Sequence, residues 1–170
     1  GVSRRILVVG PSWIGDMVMA QSLFIDLRAR HPDAVIDVLA PPVTASLVAR
    51  MPEVDTVLES ALRHGEFAWG KRRAEAARVK TGRYDQAIVL QRSAKAALVP
   101  WLAGIPQRTG VRGEMRYGLI NDVRTLDTAR YPLKAEHYAL LGLAGDGDAL
   151  APITYPRLAV DTDNQAALTA

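Results

Sequence analysis

The carboxylate of Asp16 is the side chain in this sequence whose position most suggests chemistry. It follows the apolar run 6–9 and the break at Gly10-Pro11, where residues with helical spacing begin. In a parallel α/β sheet, a turn from strand to helix lies at the carboxyl edge of the strands, where ligands bind. A carboxylate there could accept a proton from a substrate hydroxyl. The alternative is that Asp16 only caps the helix, a common role for aspartate at a helix start.

Three neighbours of Asp16 are candidates for binding a ligand at the same turn. Gly15 has no Cβ, so its backbone can pass close to a ligand or turn sharply. We expect Ser12 to contact the ligand, and it lacks the surroundings of a nucleophile elbow. Trp13 either packs at the rim of the site or stacks on a sugar ring.

A basic cluster between residues 63 and 83 is the second distinctive group. Its acidic residues are Glu66 and Glu75, and its cations are Arg63, Lys71, Arg72, Arg73, Arg78, Lys80 and Arg83. Such a cluster attracts an anionic partner, although a solvated helix face is the usual alternative. The sequence has no helix-turn-helix, zinc or RNA-binding signature, so nucleic acid is not an expected partner.

Alternating apolar runs and helical patterns predict the elements that must position these residues. Strands are predicted at about 5–10, 35–40, 54–59, 85–91 and 107–112. Helices are predicted at about 15–30, 43–51, 66–82, 93–103 and 134–145. This alternation is typical of βαβ units in a parallel sheet. The irregular tract 104–130 is expected to be a loop with short strands that contributes to a binding surface.

Composition limits the class of protein. The 170 residues are 49% hydrophobic and 23% charged with a net charge of +3, which is typical of one soluble globular domain. No signal peptide or membrane-spanning run is recognisable, and we expect a cytoplasmic location. Neither a dinucleotide fingerprint nor a phosphate-binding loop is present, and the three histidines lack metal-ligand spacing. No cofactor or metal is therefore expected.

Several segments resemble one known family. The run Gly10-Pro11-Ser12-Trp13-Ile14-Gly15-Asp16-Met17-Val18-Met19 resembles the N-terminal signature of ADP-heptose:lipopolysaccharide heptosyltransferases. Similar segments follow in the family's order at 50–54, at 97–100 with 104–106, and at 108–124. The resemblance extends over roughly residues 5–145.

The resemblance implies a GT-B architecture, in which two Rossmann-like halves face each other across a cleft. Residues 1–150 would be the N-terminal acceptor-binding half, a parallel sheet with helices on both faces. Residues 151–170 would be a linker and the start of a nucleotide-sugar domain that is missing from this chain. The implied reaction is inverting transfer of heptose from ADP-heptose to heptosylated Kdo₂-lipid A, in peripheral contact with the cytoplasmic face of the inner membrane. The isolated chain would then be inactive.

The resemblance also assigns roles to residues. Asp16 matches the acidic position of the family's Gly-Asp motif, which makes it the expected catalytic base. The acceptor carries carboxylates and phosphates, which the planar fork of arginine can hold through two hydrogen bonds. The candidate acceptor contacts are Arg63, Arg72, Arg73, Ser93, Lys95, Arg112 and Arg116. Ser93 and Lys95 fit a Ser-x-Lys arrangement, whereas Arg92 stands where a small or amide side chain is expected.

The sequence leaves alternative functions open. For each candidate cation, a solvent-exposed salt bridge competes with ligand contact. The acidic motif alone would also allow a GT-B transferase that uses another sugar nucleotide. A protein of a different class, a basic module that binds anionic lipid headgroups or nucleic acid, would explain the cationic cluster without catalysis.

Overall fold

The structure is a computed structural model that describes residues 4–62, 68–111 and 118–143. The candidate residues Arg63, Arg112 and Arg116, and the expected domain boundary near residue 150, lie outside these ranges. The described strands are β1 (Arg5–Val9), β2 (Val35–Ala40), β3 (Thr56–Glu59), β4 (Gln86–Val89), β5 (Gln107–Val111) and β6 (Asp122–Arg124). The described helices are α1 (Ile14–Arg30), α2 (Pro42–Val48), α3 (Trp69–Lys80), α4 (Ala94–Leu102) and α5 (Lys134–Leu140).

These six strands form one sheet in the order β3-β2-β1-β4-β5-β6. Every neighbouring pair is parallel. Along the chain, β2 pairs with one side of β1 and β3 pairs with the outer side of β2. The chain then crosses to the other side of β1, where β4, β5 and β6 follow in order. The direction of winding therefore reverses between β1 and β4, and ligands of such sheets bind in the crevice at that point, beyond the carboxyl ends of the strands.

Two apolar cores cover the two faces of the sheet. Ile6 and Val8 of β1 face the core that contains α1, α2 and α5. Leu7 and Val9 face the opposite core, which contains α3 and α4. Because successive strand residues point to opposite faces, a strand covered on both sides must be apolar throughout. This explains the continuous apolar run of β1 and confirms the predicted Rossmann-like parallel sheet with helices on both faces.

Helix α1 carries the candidate base and is fixed by its own apolar face. Its buried residues include Met17, Ala20, Phe24 and Leu27, which recur at the three- and four-residue spacing of one helical face. The helix ends at Arg30, and His31 precedes Pro32, as predicted from the restriction that proline places on the preceding residue.

The irregular tract 104–130 contains β6, whose place the sequence pattern does not specify. The strand has three residues, and polar side chains hold it beside β5. Gln107 Nε2 and Thr109 Oγ1 donate hydrogen bonds to Asp122 Oδ2 over 2.9 and 2.6 Å. Arg124 binds the same carboxylate over 2.7 Å. A strand held in this way has no apolar alternation for a sequence pattern to reveal.

Candidate active site

A cavity of about 220 Å³ opens beside the winding reversal of the sheet. The turn after β1 contributes Pro11, Ser12, Trp13 and Asp16 to its wall. The segment after β4 contributes Leu90, Gln91 and Arg92; α5 contributes Lys134, His137 and Tyr138, and Leu141 follows directly after that helix. A cavity therefore lies at the strand–helix turn where the sequence predicts a ligand site, and α5 closes it from a side that the sequence did not indicate.

The geometry of Asp16 contradicts the helix-cap alternative. Trp13 occupies the N-cap position of α1, and its side chain forms no capping hydrogen bond within the described residues. Asp16 lies in the first helical turn, where a negative charge is favoured by the helix dipole. Its Oδ1 accepts a hydrogen bond from Lys134 Nζ over 2.6 Å, and its side chain is 18% exposed. The carboxylate thus faces the cavity and is paired across it.

Lys134 and Tyr138 lie one turn apart on α5 and surround the carboxylate. The Lys134 ammonium nitrogen is 5.9 Å from the centre of the Tyr138 ring. The hydrogen bond to Asp16 raises the pKa of Lys134 above its usual value. Burial raises the pKa of the Tyr138 phenol, and the negative charge of Asp16 adds to this shift. Near neutral pH the cavity therefore contains an ammonium group and a protonated phenol beside Asp16.

Gln91 joins the carboxyl ends of β1 and β4. Its Nε2 donates to the carbonyl oxygen of Gly10 over 3.0 Å and to Ser12 Oγ over 3.2 Å. These bonds fix the turn that leads into Asp16, and they orient the hydroxyl of Ser12 at the cavity wall. Position 92, where a small or amide side chain is expected, holds Arg92, which lines the cavity, and the amide of Gln91 lies one residue earlier.

Trp13 and Gly15 precede Asp16 in the chain, and the structure shows how exposed each of them is to a ligand. The Trp13 side chain lines the cavity and is 61% exposed, so packing at the rim buries little of its ring. Gly15 lies in the first turn of α1, and a Cβ added to it would meet no described atom within 4 Å. Neither a sharp turn nor local crowding requires glycine there. Close approach of a ligand to Gly15 stays a prediction.

The remaining described candidates lie away from this cavity. Arg72 is 5% exposed, and its Nη1 donates to the carbonyl oxygen of Lys95 over 2.9 Å. This burial excludes the solvent-exposed salt-bridge alternative for Arg72, whose guanidinium joins α3 to α4. Ser93 is the N-cap of α4, and its hydroxyl oxygen accepts the N–H of Ala96 over 3.3 Å. Arg73 lies on the exposed face of α3. Acceptor contacts by these residues stay predictions.

The chemistry of the cavity is that of a proton acceptor surrounded by hydrogen-bond donors. Asp16 can take a proton, while Lys134, Arg92 and Tyr138 can donate hydrogen bonds to hydroxyl or anionic groups. In the described part of the chain, no three histidine, aspartate or glutamate side chains converge in a way that could hold a metal ion. Nor is any described helix long and apolar enough to cross a membrane.

A doubly wound parallel sheet with helices on both faces defines a Rossmann-like α/β domain, and its cavity lies at the winding reversal. The chain belongs to glycosyltransferase family 9 (heptosyltransferase), whose sequence model matches residues 72–169. This result confirms the resemblance drawn from the sequence motifs.

Individual relatives agree with this assignment. The chain is 49% identical over 161 residues to lipopolysaccharide heptosyltransferase 2 of Escherichia coli K12 and covers 46% of it. It is 41% identical over 165 residues to lipooligosaccharide heptosyltransferase 2 of Haemophilus influenzae and covers 47% of it. These matches use 92% and 95% of this chain. The chain therefore spans about half the length of the curated relatives it matches.

The chain is also similar to solved heptosyltransferase structures and covers about half of each. The chain superposes on E. coli ADP-heptose LPS heptosyltransferase II with a TM-score of 0.81 and 45% identity, covering 96% of this chain and 49% of that one. E. coli heptosyltransferase WaaC with ADP-2-deoxy-2-fluoro heptose gives a TM-score of 0.75 at 21% identity, covering 89% and 51%. The second likeness shows the fold alone.

Proposed function

We propose that this chain supplies the acceptor-binding half of an inverting heptosyltransferase. Heptose would pass from ADP-heptose to the first heptose of the lipopolysaccharide inner core, carried on a heptosylated Kdo₂-lipid A. Residues 1–150 would form this half, and residues 151–170 would lead into the nucleotide-sugar half. The observation that carries the proposal is the Asp16 carboxylate, which faces a cavity at the winding reversal of a chain 49% identical to a heptosyltransferase 2.

In this reaction the acceptor hydroxyl gives its proton to Asp16 as its oxygen attacks the anomeric carbon of the donor heptose. The bond between that carbon and the diphosphate oxygen breaks, ADP leaves with the bonding electrons, and the configuration inverts. A positioned base contributes about 10²–10⁴-fold to such a rate.

A transferase that uses another sugar nucleotide is the alternative reaction. The acid–base site would serve both, because the proton comes from the acceptor and not from the donor base. Identity to two proteins named heptosyltransferase 2 favours heptose. The discriminating experiment is a turnover assay of the full-length protein with ADP-heptose, other ADP-sugars and UDP-sugars on a heptosylated Kdo₂-lipid A acceptor. Equal or faster transfer from another sugar nucleotide would reject the assignment.

We also propose that α3 brings the protein into peripheral contact with an anionic membrane, consistent with a location on the cytoplasmic side. The exposed charged side chains of α3 are all cations: Lys71, Arg73, Arg78 and Lys80. Glu75, the one acidic residue of this helix, is buried, and Trp69 at its start is 44% exposed. Cations near an anionic lipid surface contribute roughly 1 kcal/mol each, and tryptophan favours the membrane interface.

Vesicle sedimentation tests this contact. The full-length protein should bind vesicles containing phosphatidylglycerol more tightly than pure phosphatidylcholine vesicles, and the Lys71→Glu/Arg73→Glu variant should lose most of that difference. Arg50→Glu/Arg130→Glu, with the same charge change outside α3 and away from the cavity-lining residues, serves as the control and should retain binding. Loss in both double variants would indicate a general charge effect, and equally tight, salt-dependent binding to duplex DNA would favour the basic-module alternative.

A further inference from the structure

The ion pair between Lys134 and Asp16 joins two elements that a rigid core holds together. Asp16 lies in the first turn of α1, and Lys134 is the first residue of α5. Tyr138 of α5 and Leu141, the residue directly after that helix, share one apolar core with Met17 of α1. The backbones of both partners are therefore fixed by packing, so the 2.6 Å contact does not depend on a mobile loop.

The start of α5 is itself anchored. The backbone N–H of Leu133 donates to Glu136 Oε1 over 2.9 Å, which ties the residue before the helix to its first turn. His137 Nε2 lies 2.7 Å from the carbonyl oxygen of Tyr131, a second bond that holds this turn to the preceding segment. These bonds direct the Lys134 side chain toward the cavity, where Arg92, His137 and Tyr138 are the other ionisable groups that line it among the described residues.

We propose that Lys134 is a positioning residue for Asp16, which holds one carboxylate oxygen so that the carboxylate meets the acceptor hydroxyl in a single orientation. This inference rests on the proposed function of the site. An acceptor hydroxyl must approach the base within hydrogen-bond reach and along a productive direction, and a misplacement of about 1 Å can cost about 10²-fold in rate. A carboxylate tethered through Oδ1 cannot rotate away from that geometry.

A purely stabilising role explains the pair less well. The Lys134 side chain is 53% exposed, and ion pairs of that exposure contribute little to folding. The pair instead lies in the wall of the cavity, where orientation of a base affects rate directly. Lys134 is thus assigned to the reaction through Asp16 and is not itself a proton acceptor, because an ammonium group has no lone pair.

Kinetics of the full-length protein test this role. Lys134→Met keeps the apolar stem and removes the charge; it should lower kcat by between about 10- and 100-fold while the KM for ADP-heptose changes little. Lys134→Arg, which restores a donor to Oδ1, should recover most of the rate. Arg130→Met, an exposed cation of the segment before α5, is the matched control and should keep wild-type kcat. Wild-type kcat in Lys134→Met, or no recovery in Lys134→Arg, would overturn the proposal.

A double-mutant cycle separates positioning from an independent effect. In the Asp16→Asn background, adding Lys134→Met should lower kcat no further, because the side chain that Lys134 positions has already lost its function. Multiplicative losses would show that Lys134 acts independently of Asp16 and would overturn the proposal. Near-normal turnover of the single Asp16→Asn variant would instead reject the proposed function of the site, so the two failures are distinguishable.

Discussion

Asp16 can be tested as a base without disturbing the fold around it. In the full-length protein, Asp16→Asn should lower kcat by about 10²-fold or more, because an amide cannot accept the hydroxyl proton. Since Asp16 is not the N-cap of α1 and its ion pair is partly exposed, the free energy of unfolding should change by less than about 1 kcal/mol. Steady-state kinetics and thermal melts measure the two effects.

The control for Asp16 lies on the same helix. Asp26 pairs with Arg30 over 2.6 Å and is remote from the cavity-lining residues. Asp26→Asn therefore removes one ion-paired carboxylate of α1 and should keep normal kcat. Near-wild-type turnover in a folded Asp16→Asn variant, or an equal loss in Asp26→Asn, would contradict the catalytic assignment.

Asp37 is buried in the core and does not line the cavity. The Tyr84 hydroxyl donates to Asp37 Oδ2 over 2.6 Å, and Asp37 Oδ1 has no hydrogen-bond partner among the described residues. Burial raises the pKa of the Asp37 carboxyl, although the bond from Tyr84 acts against the shift. Tyr84→Phe should lower the free energy of unfolding by about 1–3 kcal/mol at pH 7, because it leaves a buried carboxyl group without its donor.

The pH dependence of the Tyr84→Phe loss is its internal control. The raised pKa means that the folded state binds the Asp37 proton more readily than the unfolded state, so this group favours folding when protonated. The loss should therefore shrink as the pH falls toward the usual range of aspartate, where Asp37 no longer needs the donor. Denaturant unfolding of wild type and Tyr84→Phe at pH 7 and at about pH 4 measures this loss. An equal loss at the two pH values would contradict the explanation.

At the scale of elements, two neighbouring arginines of α3 differ in environment: Arg72 is buried, whereas Arg73 is exposed and remains a candidate for ligand contact. Arg72→Ala should lower the free energy of unfolding by about 1–3 kcal/mol, because it removes a buried bond from α3 to Lys95. Arg73→Ala removes an exposed cation from the next position and should change stability by less than about 0.5 kcal/mol.

If α3 attracts the anionic acceptor, Arg73→Ala raises the acceptor KM at low salt without changing donor binding. An unchanged KM would return Arg73 to the solvated-face alternative.

Strand β6 depends on one ionised carboxylate. Burial alone would raise the pKa of Asp122, but hydrogen bonds from Arg124, Thr109 and Gln107 lower it from 3.8 to about 2. The ionised carboxylate therefore stabilises the fold above its unfolded pKa, and the effect is lost as the pH falls through the folded value. The contribution is up to about 2 kcal/mol, reduced by solvent screening.

Acid unfolding checks the role of Asp122. Wild-type stability should decrease between about pH 4 and pH 2, whereas Asp122→Asn should start lower at pH 7 and lose less over that interval. Asp127→Asn, which affects an exposed aspartate that accepts the N–H of Arg130, is the control and should follow the wild-type curve. Parallel acid curves for Asp122→Asn and wild type would contradict the role given to this carboxylate.

At the scale of the whole molecule, the spacing of apolar residues in the sequence predicts the positions of strands and helices. The predicted strand 35–40 is observed as Val35–Ala40, because it is covered on both faces and is apolar at every position except Asp37. The partners of Asp16 are not predictable in this way, since Lys134 is 118 positions away and reaches the cavity only through packing of α5 on α1. The burial of Arg72 is likewise decided by α4 and not by the composition of the basic cluster.

The whole-molecule prediction concerns what the 170 residues can do alone. Both faces of the sheet are covered by apolar cores within the described residues, so the isolated chain should fold and unfold cooperatively. Because these residues span about half the length of the curated relatives, we expect them not to transfer heptose on their own. The measurement is a turnover assay with ADP-heptose and heptosylated Kdo₂-lipid A, run beside the full-length protein and beside a thermal melt of each. A folded chain without turnover fits the two-half architecture, whereas sustained transfer by residues 1–170 would show that one Rossmann-like half suffices.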